Sequence, residues 1–330
     1  METSERSGRI ARIRKGELHV HLNGLVSASA VRSVLEDETT EIPAGFDLGG
    51  DLARLKPCSS LSSYLKPWQV LRKIPTRLEN LRRMCDDAFQ TLSRSNVDFV
   101  ELRSSVLYLA GLQDCAVPEA LQRLIEATSS SAEKFGITRG LVLTVTRGDY
   151  SMVHLDTLLR AFRALSCPVD VVGIDLAGDE ETSIPEELPD LFRAAKEKYG
   201  LGITIHAGET GRPENILTAV RSFGANRIGH GTAAASHPEI MEELSQRDVC
   251  VEVCPISNRL TGAIKSTETH PMRGFLRSGV PFVICSDNPG IHERGLNDDY
   301  DTALSEGVEV TFLESQFEVA KKYSFLDFAP

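Results

Sequence analysis

The sequence has a single Trp, no Cys-x-x-Cys pair and no apolar run long enough to cross a bilayer. It also lacks a GxGxxG turn after a strand-like run and a Walker loop, so dinucleotide and P-loop readings have no support. Basic charge is outnumbered: 36 Lys+Arg stand against 47 Asp+Glu, a formal net charge of -11. That balance argues against a nucleic-acid binder or a protein of anionic membrane surfaces, since both favour basic faces. It still leaves room for a basic pocket inside an acidic shell. The 7 cysteines (Cys58, Cys85, Cys115, Cys167, Cys250, Cys254 and Cys285) are scattered and odd in number. This pattern predicts reduced thiols in a cytoplasmic setting rather than a disulfide framework or a thiolate zinc site. The start, METSERSGRIARIRK, is basic with no apolar stretch behind it, which predicts a loose polar segment and no secretory signal. Composition implies no particular oligomeric state.

What is present is a rhythm. Short runs rich in Val, Ile and Leu recur at Glu17–His21, Val97–Leu102, Gly140–Thr146, Val169–Asp175, Gly202–His206, Arg227–His230, Val249–Cys254 and Pro281–Asp287. They are continuous rather than alternating, as strands buried on both faces should be. Amphipathic stretches separate them: Arg77–Ser95, Pro118–Phe135, Met152–Leu165, Pro189–Lys198, Pro213–Phe223 and Pro238–Gln246. Several of these open on Pro, a helix-start signal. Strands alternating with helices in this way predict an α/β protein, a single (β/α)8 TIM barrel occupying 1–330 as one domain. The interval Leu22–Asn96 is too long for one crossover, and Val26–Glu36 and Ser62–Ile74 read as extra helices in it. A helical insertion at 22–75, after the first strand, would lie over the C-terminal face of the barrel as a lid.

The ends of the strand candidates carry the chemistry. The first ends His19-Val20-His21, the fifth runs through His206 to Glu209, the sixth ends at His230 and the eighth at Asp287. Side chains alternate along a strand, so His19 and His21 share a side and can share one metal. His-x-His alone is a weak motif. Of 8 His in the chain, however, four stand on these converging ends. Imidazole plus carboxylate suits zinc among the common metals. Glu209 reads as a solvated loop carboxylate or as a general acid whose pKa is raised by burial. His230, between glycines, reads as a core histidine or as a residue approached closely by ligand. Asp287 ends an apolar run, where an unpartnered carboxylate is costly.

The combination Gly16-Glu17-Leu18-His19-Val20-His21-Leu22-Asn23-Gly24, Asp175 to Glu180, His206-Ala207-Gly208-Glu209, Gly229-His230-Gly231, Cys254 to Asn258 and Ser286-Asp287-Asn288-Pro289 resembles the adenosine/AMP deaminase family of the amidohydrolase superfamily. The motifs keep that family's order and spacing, and Phe312–Leu326 is similar to its barrel-closing helix. The resemblance implies one Zn2+ per chain held by His19, His21, His206 and Asp287. It implies that Glu209 protonates the purine N1, that His230 and Asp287 orient and deprotonate the attacking water, and that His21, Asn23, Gly178 and Asn288 contact the substrate. Gly178 would offer its N–H to N3, and Asn288 would meet N7. The reaction implied is hydrolytic deamination of a 6-aminopurine nucleoside, adenosine-like, to an inosine-type product and ammonia.

Two positions depart from the family pattern. Asn23 stands where the adenosine deaminases usually carry Asp, and a neutral amide there removes a charge that would repel a 5′-phosphate. In this it resembles the branch acting on N6-methyl-AMP and related N6-substituted purine mononucleotides. Asn288 also replaces an Asp, and its amide can donate without being protonated, to a purine or to another aminopurine or aminopteridine ring. Tyr64 and Trp68 are candidates for the base or ribose wall. Arg54, Lys56, Lys66, Arg72 and Lys73 are candidates for a phosphate cradle, though a solvated helix face accounts for most of them. Two rival chemistries lack their residues: the fourth strand candidate holds no Lys to bridge two metals, and His237-Pro238-Glu239 is followed by no PCxxC zinc motif. A non-catalytic purine-binding barrel is the remaining rival, and it would be expected to have lost a ligand.

Overall fold

The computed structural model describes residues 3–209, 211–265 and 267–328. Eight parallel strands pair in sequence order: β1 (Lys15–His21), β2 (Val97–Ser104), β3 (Thr138–Thr146), β4 (Val171–Ala177), β5 (Gly202–Ala207), β6 (Arg227–His230), β7 (Cys250–Val253) and β8 (Phe282–Ile284). The seam between the last strand and the first closes just beyond β8. There His21 N donates to Asp287 O at 3.0 Å and Asp287 N to His19 O at 2.8 Å, and Val20 bridges Asp287 in parallel. This is the (β/α)8 barrel. β7 and β8 are shorter than their apolar runs because the chain leaves the ladder to form the site. His230 (φ +66°) and Asp287 (φ +60°) both take the left-handed conformation that non-glycine residues rarely adopt.

The surrounding helices follow their sequence signals. Leu78–Arg94 buries Leu81, Met84, Cys85, Ala88, Phe89 and Leu92 along one stripe. Val117–Phe135 and Leu188–Tyr199 carry Pro in the first turn and stop at Gly136 and Gly200 in the left-handed conformation. Where Phe312–Leu326 was expected, a helix spans Val310–Tyr323, and the chain after it plugs the barrel base. Phe328 packs edge-on against Phe99 at 4.8 Å between centroids, and Arg227 lies 3.6 Å above the Phe325 ring. Gly202 is required there, since a Cβ on it would sit 2.3 Å from Phe325. The polar start is not loose. It forms helix Thr3–Arg12, docked by buried Ile10 and by ion pairs from Arg6 to Asp301 and Arg9 to Glu314.

In the 22–75 insertion, helix Ala28–Asp37 starts two residues later than expected because Ser27 caps it, its Oγ accepting from Ala30 N at 3.3 Å. The stretch 62–74 is two four-residue turns, Leu61–Tyr64 and Trp68–Leu71, rather than one helix. Pro67 between them has no N–H and disfavours helical backbone at the residue before it. Among the described residues no helix is long and apolar enough to cross a membrane, and all 7 cysteines are free.

Candidate active site

The barrel mouth gathers the strand-end residues into one cavity. His21, His206, Glu209, His230, Asp287 and Asn288 line it from the strands, while Tyr64, Trp68 and Arg72 line it from the insertion. The long interval after β1 thus supplies part of the cavity wall. The ligand atoms of His19, His21 and His206 lie within 4.8 Å of one another, and so do those of His19, His230 and Asp287. His21 Nε2 is 3.3 Å from His206 Nε2 and 3.4 Å from Asp287 Oδ1. His19 Nε2 is 3.6 Å from the same oxygen.

Three of the four donors, His19, His206 and Asp287, are aimed by a partner behind them. His19 Nδ1 meets Glu252 Oε2 at 2.8 Å, and His206 Nδ1 meets Asp175 Oδ1 at 2.9 Å. A carboxylate on Nδ1 holds the proton there and leaves Nε2 bare for a metal. Ser257 Oγ donates to Asp287 Oδ2 at 2.6 Å, so Oδ1 turns to the histidines. Burial pushes all three imidazoles well below their ordinary pKa, keeping them neutral, and pushes Asp287 up to about 6.

The donor set fits a divalent cation. Beneath it, Arg103 is wedged between Glu252 and Asp175, and Arg227 between Glu252 and Glu101, all fully buried. With Asp287 added, the carboxylates of this network outnumber Arg103 and Arg227, an excess of negative charge that a bound cation would offset. Imidazole and carboxylate donors are those zinc accepts.

Glu209 stands at the other side of the mouth, its Oε2 3.7 Å from His230 Nε2. Burial raises its carboxyl to about 8, the negative charge of Glu180 adds to the rise, and a hydrogen bond from Thr261 opposes it. Glu180 clamps this turn. Its two oxygens accept from Gly208 N and Glu209 N, both at 2.7 Å. Gly178, φ +103°, and Asn288 border the cavity. Asn288 Nδ2 donates to Tyr64 Oη at 3.1 Å, keeping one N–H for a ligand. Asn23 lines the wall, but its Nδ2 donates to Leu71 O in the insertion at 3.1 Å.

Of the proposed cradle cations only Arg72 reaches the cavity, its guanidinium 5.7 Å from the Tyr108 ring centroid. Arg54 is buried on Ala53 O and Ser63 O, Lys66 pairs with Asp51, and Lys73 donates to Glu41 O. Trp68 both lines the cavity and packs against the core. Sequence reasoning missed Arg103, Glu180, Glu252, Ser257 and Asn258. Glu180, Ser257 and Asn258 lay inside quoted motifs, yet their partners are set by tertiary contacts only.

The adenosine deaminase family model matches residues 14–328. An adenosine deaminase of Clostridium botulinum is 30% identical over 276 residues, 83% of this chain and 82% of that protein. An amidohydrolase of Burkholderia ambifaria, solved with bound Zn, superposes with a TM-score of 0.85 at 22% identity, covering 99% of this chain and 89% of that one. The apo N6-methyl-AMP deaminase of Arabidopsis thaliana does so with 0.82 at 23%, covering 97% and 94%. With nearly its whole length matched by the family model, the chain belongs to the adenosine deaminase family.

Proposed function

We propose that this protein is a zinc-dependent deaminase that hydrolyses the 6-amino group of a purine nucleoside of the adenosine type. The observation that carries the reading is one barrel mouth in which the buried carboxyl of Glu209, pushed up to about 8, lies beside the donor cluster of His19, His21, His206 and Asp287. One zinc per chain, bound there, would polarise and acidify the attacking water.

The protein's own residues supply the proton traffic. Glu209 delivers its proton to ring N1, which draws electron density from C6. His230 and Asp287 hold the water, and its proton passes to Asp287 as the oxygen bonds to C6. The proton on Asp287 then goes to the departing amine, which leaves as ammonia. The new hydroxyl proton returns to Glu209, and N1 keeps the first one. In this reading Gly178 N–H meets N3, Asn288 meets N7, Asn23 lies toward the ribose and His21 is a further substrate contact. The chain works as one cytoplasmic domain with 22–75 as its lid.

Asn23 supports a second reading, removal of the N6 amine from an N6-substituted purine mononucleotide such as N6-methyl-AMP. Its neutral amide faces the insertion, and the exposed Arg72 follows Leu71, the residue that accepts from it. A panel of adenine, adenosine, deoxyadenosine, AMP, N6-methyl-AMP and aminopteridines, scored by amine release and ultraviolet shift, tests both. Turnover of adenosine supports the first reading. Turnover of N6-methyl-AMP with adenosine inert selects the second.

A further inference from the structure

His230 ends β6 fully enclosed, and a chain of side chains runs from it away from the cavity. Its Nδ1 lies 3.0 Å from Asn258 Nδ2. Asn258 Oδ1 lies 3.3 Å from His270 Nε2, and His270 Nδ1 lies 3.3 Å from the backbone N of Met272. Asn258 and His270 are both buried. Neither belongs to the catalytic groups described above.

The far end of this chain decides the near end. A backbone N–H can only donate, so His270 Nδ1 must accept, and the proton of the neutral ring sits on Nε2. Burial pushes His270 down to about 3, so the ring is neutral. Its Nε2–H then donates to Asn258 Oδ1, which turns the amide NH2 toward His230. His230 Nδ1 must therefore accept, and the neutral ring carries its proton on Nε2, the nitrogen 3.7 Å from Glu209 Oε2. The opposite arrangement, with the amide turned over, needs a proton on His270 Nδ1 facing the Met272 N–H. That sets two buried donors against each other and leaves both without an acceptor. The anchor itself is fixed, because His270 N donates to Glu306 Oε2 at 3.2 Å while Arg259 pairs with the other oxygen of Glu306.

We propose that Asn258 and His270 are positioning residues that hold His230 as an Nε2–H hydrogen-bond donor, leaving Asp287 as the sole acceptor of the water's proton. His230 then exchanges no proton in the reaction. It steadies the oxygen that attacks C6 by donating to it, as a neutral imidazole can. This rests on the deaminase reading for its chemistry, but the tautomer of His230 is independent of it.

The test is the nitrogen NMR spectrum of the zinc-loaded protein labelled with 15N-histidine, with His230 assigned by its loss in His230→Gln. The expected result is a protonated Nε2 and a bare Nδ1. A protonated Nδ1 with a bare Nε2 overturns the proposal, whatever the protein's activity. Asn258→Asp replaces the donor facing His230 by an acceptor. It should reverse the tautomer and lower kcat by roughly 10²–10⁴-fold, the scale of a misoriented catalytic histidine, with zinc content unchanged. His270→Gln, which keeps an amide donor for Asn258, should retain the wild-type tautomer. An Asn258→Asp protein that folds, keeps the wild-type tautomer and keeps its kcat contradicts the proposal. If Asn258→Asp does not fold, the wild-type spectrum decides alone. Failure to turn over any aminopurine defeats the deaminase reading and leaves the tautomer result standing.

Discussion

Glu209 is a proton donor only while protonated, so its environment sets the alkaline limit of activity. With its carboxyl held near 8 by burial and by Glu180, kcat/KM should stay flat through neutrality and fall as pH rises past about 8. Glu180→Gln removes a negative charge, lowers the pKa of Glu209 and should move that limb to lower pH, as a pH–rate profile reads directly. Glu209→Gln should cost about 10²–10⁴-fold in kcat while the protein still binds zinc. At this scale the sequence was informative wherever a strand end carried an unusual side chain. His19, His21, His206, Glu209, His230 and Asp287 were all named from strand ends, and the structure brings them together. Glu180 and Asn258 stayed hidden because a glutamate or an asparagine acquires meaning only from the N–H or ring nitrogen opposite it, which no spacing rule encodes.

Among the elements, the insertion is tied to the barrel by several hydrogen bonds, one of them from Asn23. Asn23, in the turn just after β1, donates to Leu71 O, and an aspartate cannot donate to a carbonyl. Asn23→Asp should lose about 1 kcal/mol of that tether, speeding amide exchange over 68–72. It should raise KM more for a 5′-phosphorylated purine than for its nucleoside. At the barrel base, Gly202→Ala would drive a methyl into Phe325. The expected penalty is about 1–3 kcal/mol of overpacking, seen as a lowered Tm with the metal site intact. Strands and long helices were legible because burial on two faces and on one stripe leave distinct periods, as in β6 and in Leu78–Arg94. The insertion was legible only as extra length. Its two short turns obey Pro67 and contacts to the barrel rather than any amphipathic period.

For the molecule as a whole, the net charge of -11 has a counterpart inside. The carboxylates beneath the mouth outnumber Arg103 and Arg227, and a bound cation would offset the excess. Removing zinc with a chelator should therefore lower Tm, and added zinc should restore it, in proportion to the logarithm of free metal over its dissociation constant. The barrel was readable from the alternation of runs and helices across the chain. The docked N-terminal helix was not, since its ion pairs reach Asp301 and Glu314 at the far end of the sequence. The claim on which the rest depends is metal-dependent removal of a 6-amino group. Amine release from the aminopurine panel by the zinc-loaded protein, with the chelated protein alongside, tests it most directly. Release from at least one 6-aminopurine is expected, abolished by chelation and restored by zinc. Protein carrying one zinc per chain that releases amine from none of them would contradict it.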